Sequence, residues 1–213
     1  MIAAILPAGV AAAEAFDDEA PAALFPGEEA LVAGALPRRV REFGTTRACA
    51  RRALAQLGLP PAAVLRGAGR APAWPTGVVG SLTHCDGYRA AAVARATDLT
   101  ALGIDAEPAE PLPPGVLSLV ASAGEEQPHL RELADGHPGV PWDRLLFCAK
   151  EAVFKAWSPL TGRWLGCAEA HVTIDPAGTF RARLRPEGGP GPVAAFDGRW
   201  LAARGLLVAA VTL

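Results

Sequence analysis

The stretch VVGSLTHCDGYRAAAVA, Val78–Ala94, decides how this chain is read. Asp86-Gly87 sits between two apolar runs, and Asp-Gly favours the tight turns of two-residue hairpins because glycine accepts positive φ without steric cost. Val78–Thr83 and Arg89–Ala94 are therefore expected as paired strands around Cys85-Asp86-Gly87, with Ala101–Glu107 as a third, adjacent short strand. Upstream, Val40, Phe43, Ala50, Leu54 and Leu57 recur at three- and four-residue steps between Pro37 and Gly58. That spacing predicts one amphipathic helix, with proline in its first turn and glycine at its stop. Downstream the order repeats. A helix over Trp142–Trp157 precedes strands at Ala170–Ile174 and Thr179–Leu184, then Trp200–Ala203 and Leu206–Val211 about Arg204-Gly205. Pro108–Gly115 is a proline-rich crossing segment. The expected class is mixed α and β (α+β), in two similar halves, 1–107 and 108–213, with the site in the cleft between them.

Composition narrows the function. A chain of 213 residues, 51% hydrophobic and 20% charged, buries a sizeable core, which excludes disordered and fibrous classes. A formal charge of -2 gives no overall attraction to nucleic acid or an anionic membrane, so any anion site must be a local arginine or lysine cluster. Four cysteines without a CxxC pair fit reduced thiols in a cytoplasmic protein. Met1–Phe16 is apolar but has no basic flank, and Pro7 and Gly9 interrupt it, so it reads as a buried first strand rather than a secretory leader. No run of about 18 apolar residues is free of charge, glycine and proline, so no bilayer span is expected.

Four groups of residues carry chemistry. Asp105 and Glu107 flank Ala106, and the two-residue period of a strand points both carboxylates to one face, where hard oxygen donors suit Mg²⁺ or a solvent-facing strand end. In FCAKEAVFKAW, Phe147–Trp157, Glu151 and Lys155 are helical neighbours at i and i+4. Lys150 and Lys155 are the only lysines in the chain; they suit a phosphate as point charges, or an ordinary exposed ion pair. Ser81, Thr83 and His84 stand at a strand end and turn, where hydroxyls and imidazole are placed to face a diphosphate. Ser81 lies outside a GxSxG elbow, which argues against a Ser-His hydrolase. Six arginines lie between Arg38 and Arg52, with Arg47 and Arg51 one turn apart and Arg39 set to one side, and Arg70 precedes the histidine turn. These suit either a terminal phosphate or a solvated helix face.

Taken together, GSLTHCDGY, LGIDAE and FCAKEAVFKAW resemble the larger, Sfp-type 4′-phosphopantetheinyl transferases, in the branch of the enterobactin-synthase transferase and its actinobacterial relatives. The likeness extends through Arg70–Pro75, Arg39–Leu54 and the opening MIAAILP with Glu14. It implies a pseudo-twofold α/β fold with coenzyme A and Mg²⁺ between the halves. It also implies transfer of phosphopantetheine to a serine of an apo acyl or peptidyl carrier protein, in fatty-acid, polyketide, siderophore or nonribosomal-peptide synthesis, by a monomer. By motif position, Asp105, Glu107 and Glu151 would ligate the metal, with Glu151 also the general base. Lys150 and Lys155 would face the diphosphate and His84 a coenzyme A phosphate, while Arg47, Arg39 and Arg70, with Arg51 in reserve, are candidates for the 3′-phosphate. Thr46, Cys148 and Ala106 depart from the family pattern without removing a ligand or charge. The alternatives are a metal-dependent hydrolase of nucleotide-linked diphosphates and a non-catalytic module binding coenzyme A or a carrier protein. Pro111–Leu133, with Leu117, Leu119, Val120 and Leu130, is the candidate surface for the carrier protein.

Overall fold

The computed structural model describes residues 1–18, 23–187, 189 and 191–213. After a 3-10 turn at Ile2–Ile5 come β1 (Ala11–Ala15), α1 (Pro26–Leu31), α2 (Pro37–Gln56), β2 (Leu65–Arg66), β3 (Pro72–Ala73), β4 (Val78–Cys85), β5 (Tyr88–Arg95) and β6 (Leu102–Pro108). Then follow α3 (Leu117–Val120), α4 (Glu126–Gly136), α5 (Trp142–Thr161), β7 (Ala170–Asp175), β8 (Thr179–Leu184), β9 (Ala195–Ala203) and β10 (Leu206–Thr212). The fold is α+β.

Alternation along the strands sets the layers. On β5, Ala91 and Val93 face the α2 residues Cys49, Ala50, Ala53 and Leu54. Tyr88, Ala90 and Ala92 face the opposite way, against Ile104 and Ala106 of β6 and Leu206, Val208 and Ala210 of β10. The other face of β10, Leu207, Ala209 and Val211, meets α5. Two antiparallel sheets, β1-β5-β4 and β6-β10-β9-β8-β7, thus face each other, with one long helix outside each.

The third strand departs from the expected order. β6 does not join the β4-β5 hairpin but pairs with β10, Ile104 opposite Ala210, at the edge of the five-stranded sheet. Its neighbour on the free side is β4, and the two are stitched by side chains instead of a backbone ladder. The amides of Ile104 and Ala106 donate to Ser81 Oγ (3.1 Å) and Thr83 Oγ1 (3.0 Å). The opening segment also differs: it is a buried 3-10 turn before a five-residue strand, because Pro7 and Gly9 break the run that sequence alone reads as one strand. Periodicity misses α1, α3, α4 and the β2-β3 hairpin, which are short or interrupted by proline and glycine.

Candidate functional site

Gly103 brings the acidic and basic groups together. It shares a strand face with Asp105, and a Cβ there would lie 2.0 Å from the Ala152 carbonyl oxygen and 2.8 Å from the Ala156 nitrogen of α5. Any side chain would force the helix off the strand. With α5 seated this closely, Lys155 Nζ reaches Asp105 Oδ1 at 2.6 Å across 50 residues of chain. Thr83 donates to the same oxygen at 3.0 Å, while Asp105 Oδ2 is buried without a partner among the described residues.

Glu107 and Glu151 lie within range of the Asp105 charge. Burial, and then that charge, raise both carboxyls above their ordinary values, although Arg144 at 3.0 Å partly offsets this for Glu107. Burial would lower the Lys155 ammonium, but the charge and hydrogen bond of Asp105, with Glu151, outweigh it and raise it. The nearby thiols stay protonated. Burial and then Glu107 and Asp105 push Cys85 up to about 12, and burial with the same carboxylates raises Cys148 well above its ordinary value. Protonated thiols are poor nucleophiles, so the site's chemistry is carried by its carboxylates and cations. Among the described residues no three acidic, histidine or cysteine side chains form a ready-made metal cluster. The donor chemistry nevertheless fits a hard divalent cation: oxygen ligands only, one buried carboxylate oxygen left orphaned, and the other now paired with an ammonium in a cation's place.

Beside this group lies a cavity of about 320 Å³ whose wall carries Arg39, Arg47, Arg66, Arg70 and Lys155 and no acidic side chain among the described residues. Phe154 and Trp164, in tilted contact with ring centroids 4.7 Å apart, line it as well. Arg47 is fixed by a 2.9 Å bond from Nε to the Val64 carbonyl and by the Phe43 ring, 4.0 Å from the guanidinium. Desolvation, only partly offset by Glu28, pushes Arg47 down to about 10. Arg70 follows Gly69 in the β2-β3 turn, and both hold positive φ, +68° and +59°. Such a backbone is costly for arginine and presents its side chain to the cavity only because the hairpin holds it. Arg39 donates to His84 Nε2 at 2.9 Å, which places the imidazole proton on Nδ1. Desolvation, then Arg39 and Lys155, push His84 down to about 4, so it is neutral near pH 7.

The structure sorts the sequence candidates. Asp105, Glu107, Glu151, Lys155, His84, Arg39, Arg47 and Arg70 gather in this region. Lys150 does not: it is 3% exposed, and its ammonium donates to Glu126 Oε2 (2.9 Å), the Val120 carbonyl (2.7 Å) and the Cys167 carbonyl (2.8 Å). All three of its donors are satisfied, and it anchors α3 and α4 to α5. Arg51 is held by Glu28 and the Ala23 carbonyl outside the cavity wall. The Ser81 and Thr83 hydroxyls accept at the β4-β6 seam, while Ser81 also lines the cavity and Thr83 also donates to Asp105 Oδ1. Of the apolar residues expected to face a carrier protein, Val120 and Leu130 are core and Leu117 packs against it, leaving Leu119, 77% exposed. Sequence reasoning misses Arg66, Glu28, Glu126, Arg144 and the role of Gly103. Only Gly103 has a local signal, a glycine inside a strand pattern, which marks close backbone approach. Another concavity, about 710 Å³, is on the face of β7–β9 turned away from α5, around Arg181 and Arg199, and contains none of the expected site residues.

Comparison with known proteins agrees along nearly the whole chain. Residues 27–94 match the 4′-phosphopantetheinyl transferase N-terminal domain and residues 101–210 the 4′-phosphopantetheinyl transferase superfamily. The 4′-phosphopantetheinyl transferase Svp of Streptomyces mobaraensis is 54% identical over 100% of this chain and 89% of its own length. Npt of Nocardia iowensis is 48% identical over 99% of both chains, and PptT of Mycobacterium tuberculosis is 44% identical over 100% of this chain and 98% of its own. With both halves matched and relatives well above 30% identity, the chain belongs to the 4′-phosphopantetheinyl transferase family.

Proposed function

We propose that this protein transfers the 4′-phosphopantetheine group of coenzyme A to a serine hydroxyl of an apo acyl or peptidyl carrier protein, releasing 3′,5′-adenosine bisphosphate. One observation carries the reading: Lys155 belongs at once to the carboxylate group, through Asp105, and to the wall of the arginine cavity. A diphosphate there lies between fixed cations and a carboxylate suited to accept a proton. The arginines take the 3′-phosphate, Arg47 and Arg39 first, with Arg66 and Arg70 from the hairpin. Residues 1–107 supply these arginines, His84, Asp105 and Glu107, and residues 108–213 supply Glu151 and Lys155.

Asp105, Glu107 and Glu151 would hold Mg²⁺, which when bound supplies charge neutralisation on the diphosphate oxygens. Lys155 holds negative charge that develops as the bridging oxygen leaves. Neutral His84, its Nδ1 proton available, donates to a phosphate oxygen. Glu151, beside the Lys155 end of the cavity, accepts the serine proton as the serine oxygen bonds to the phosphorus bearing the pantetheine arm. The phosphorus–oxygen bond to adenosine bisphosphate then breaks. Leu119 gives the incoming carrier protein an apolar contact.

Incubation with coenzyme A, Mg²⁺ and a panel of apo carrier proteins should add one phosphopantetheinyl group to at least one carrier, read by intact mass, with adenosine bisphosphate released in equal amount. Release at the same rate without any carrier would mark a hydrolase and overturn the reading, as would a folded sample that modifies no carrier.

A further inference from the structure

Glu28 is fully buried on the six-residue helix α1 and does not line the arginine cavity, yet one of the cavity's arginines, Arg47, stands 3.9 Å from it. Its Oε1 accepts the Val64 amide at 2.9 Å, and its Oε2 accepts Arg51 Nη1 at 3.0 Å and the Phe25 amide at 3.1 Å. The carbonyl of that same Val64 accepts Arg47 Nε at 2.9 Å, so one residue of backbone relays the carboxylate's position to the guanidinium. Val64 also leads directly into β2, which carries Arg66, and onward to the turn that carries Arg70. α1 seats on this hairpin closely enough that a Cβ at Gly27 would stand 3.0 Å from Leu65 Cδ2.

We infer that Glu28 is a positioning residue for phosphate recognition, setting Arg47, Arg66 and Arg70 through its bond to the Val64 amide and so fixing the preference for a 3′-phosphorylated coenzyme over its dephosphorylated form. This rests on the reading that the arginine cavity takes the 3′-phosphate. A residue acting only in stability would not distinguish the two substrates.

The experiment compares KM and kcat for coenzyme A and 3′-dephospho-coenzyme A. Glu28→Leu combined with Arg51→Met removes the closest buried ion pair, a replacement that is commonly neutral for stability, and leaves Arg47, 3.9 Å from the lost carboxylate, held by the Val64 carbonyl. It deprives Val64 of its acceptor. KM for coenzyme A should rise about tenfold with kcat within about twofold, while KM for the dephosphorylated form stays unchanged. Glu28→Gln combined with Arg51→Met restores an acceptor for Val64 and should return KM toward the wild-type value. Equal behaviour of the two double variants, or equal KM changes for both substrates, overturns the inference. Arg47→Met tests the reading beneath it. If that variant leaves the ratio of the two KM values unchanged, the phosphate assignment itself fails; if it collapses the ratio while the Glu28 variants do not, only the role of Glu28 is lost.

Discussion

Asp105 and Arg47 are both buried charged groups of one functional region, and they are held by opposite means. Asp105 sits in a seven-residue strand of a five-stranded sheet, under a 20-residue helix that Gly103 allows to touch the strand backbone. Arg47 is itself on a long helix, and its head is oriented by Phe43 of that helix and by the Val64 carbonyl, just ahead of a hairpin of two-residue strands and backed by a six-residue helix. Close packing of regular elements fixes the carboxylate side. On the arginine side hydrogen bonds do that work, through Val64, whose carbonyl accepts from Arg47 and whose amide donates to the buried Glu28. The first should fail when volume changes, the second when a polar atom is removed.

Lys155 is where this contrast can be broken with the largest effect, since it belongs to both sides. Lys155→Met should lower kcat/KM about 10²- to 10³-fold, the loss expected for one preorganised charge in a low-dielectric site. Steady-state kinetics with saturating carrier protein checks it. A loss below tenfold would mean that the two sides act independently. Gly103→Ala comes next and addresses the carboxylate side alone. The added methyl must push α5 from β6, at a cost of about 1–3 kcal/mol by the usual scale for overpacking, with a larger drop in kcat than rise in KM for coenzyme A. Denaturant melts and the kinetic split test it together; unchanged stability would show that α5 is not held where the structure has it.

The same contrast explains what was legible in the sequence. The helix at Pro37 and the one at Trp142 follow from periodicity and end signals, and Glu151 and Lys155 share a face because four residues nearly complete a turn. Asp105 and Glu107 share a strand face by the two-residue period, and Lys155, the cation paired with Asp105, lies with Glu151 on one continuous motif. Lys150 stands apart from the other candidates for a physical reason: adjacent helical residues point about 100° apart, so the neighbour of Glu151 turns toward Glu126 instead of toward Asp105. The supports of the arginine cavity were invisible because they are long-range. Glu28 is 36 residues from Val64, and no local pattern announces that pairing. β6 left its expected sheet because hydroxyl-to-amide bonds satisfied its free edge, a substitution that strand propensity does not register.

The smallest effects expected are in the pH dependence of stability, and here the two sides pull in opposite directions. His84 titrates near 4 when folded and near 6.5 when unfolded, so in that window the unfolded chain binds a proton that the folded chain refuses. Its contribution to stability is present above pH 6.5 and is lost as pH falls toward 4. Glu151 is raised above its ordinary value, so the folded chain holds a proton more readily than the unfolded one, and stability falls as pH rises through the range above about 4.5. Between about pH 4.5 and 6.5 the two slopes oppose each other, and each single variant should unmask the other. Without divalent ion or coenzyme A, Glu151→Gln should melt higher than wild type at pH 7 by a few degrees, at about 2–4 °C per kcal/mol for a chain of this size. That advantage should vanish below pH 4.5. His84→Gln should instead lose the acid-side decline, making its melting temperature flatter or even falling as pH rises. Melting profiles that stay parallel to wild type for both variants would mean that neither group is surrounded by the charges described, and that the difference between the two sides does not extend to their protons.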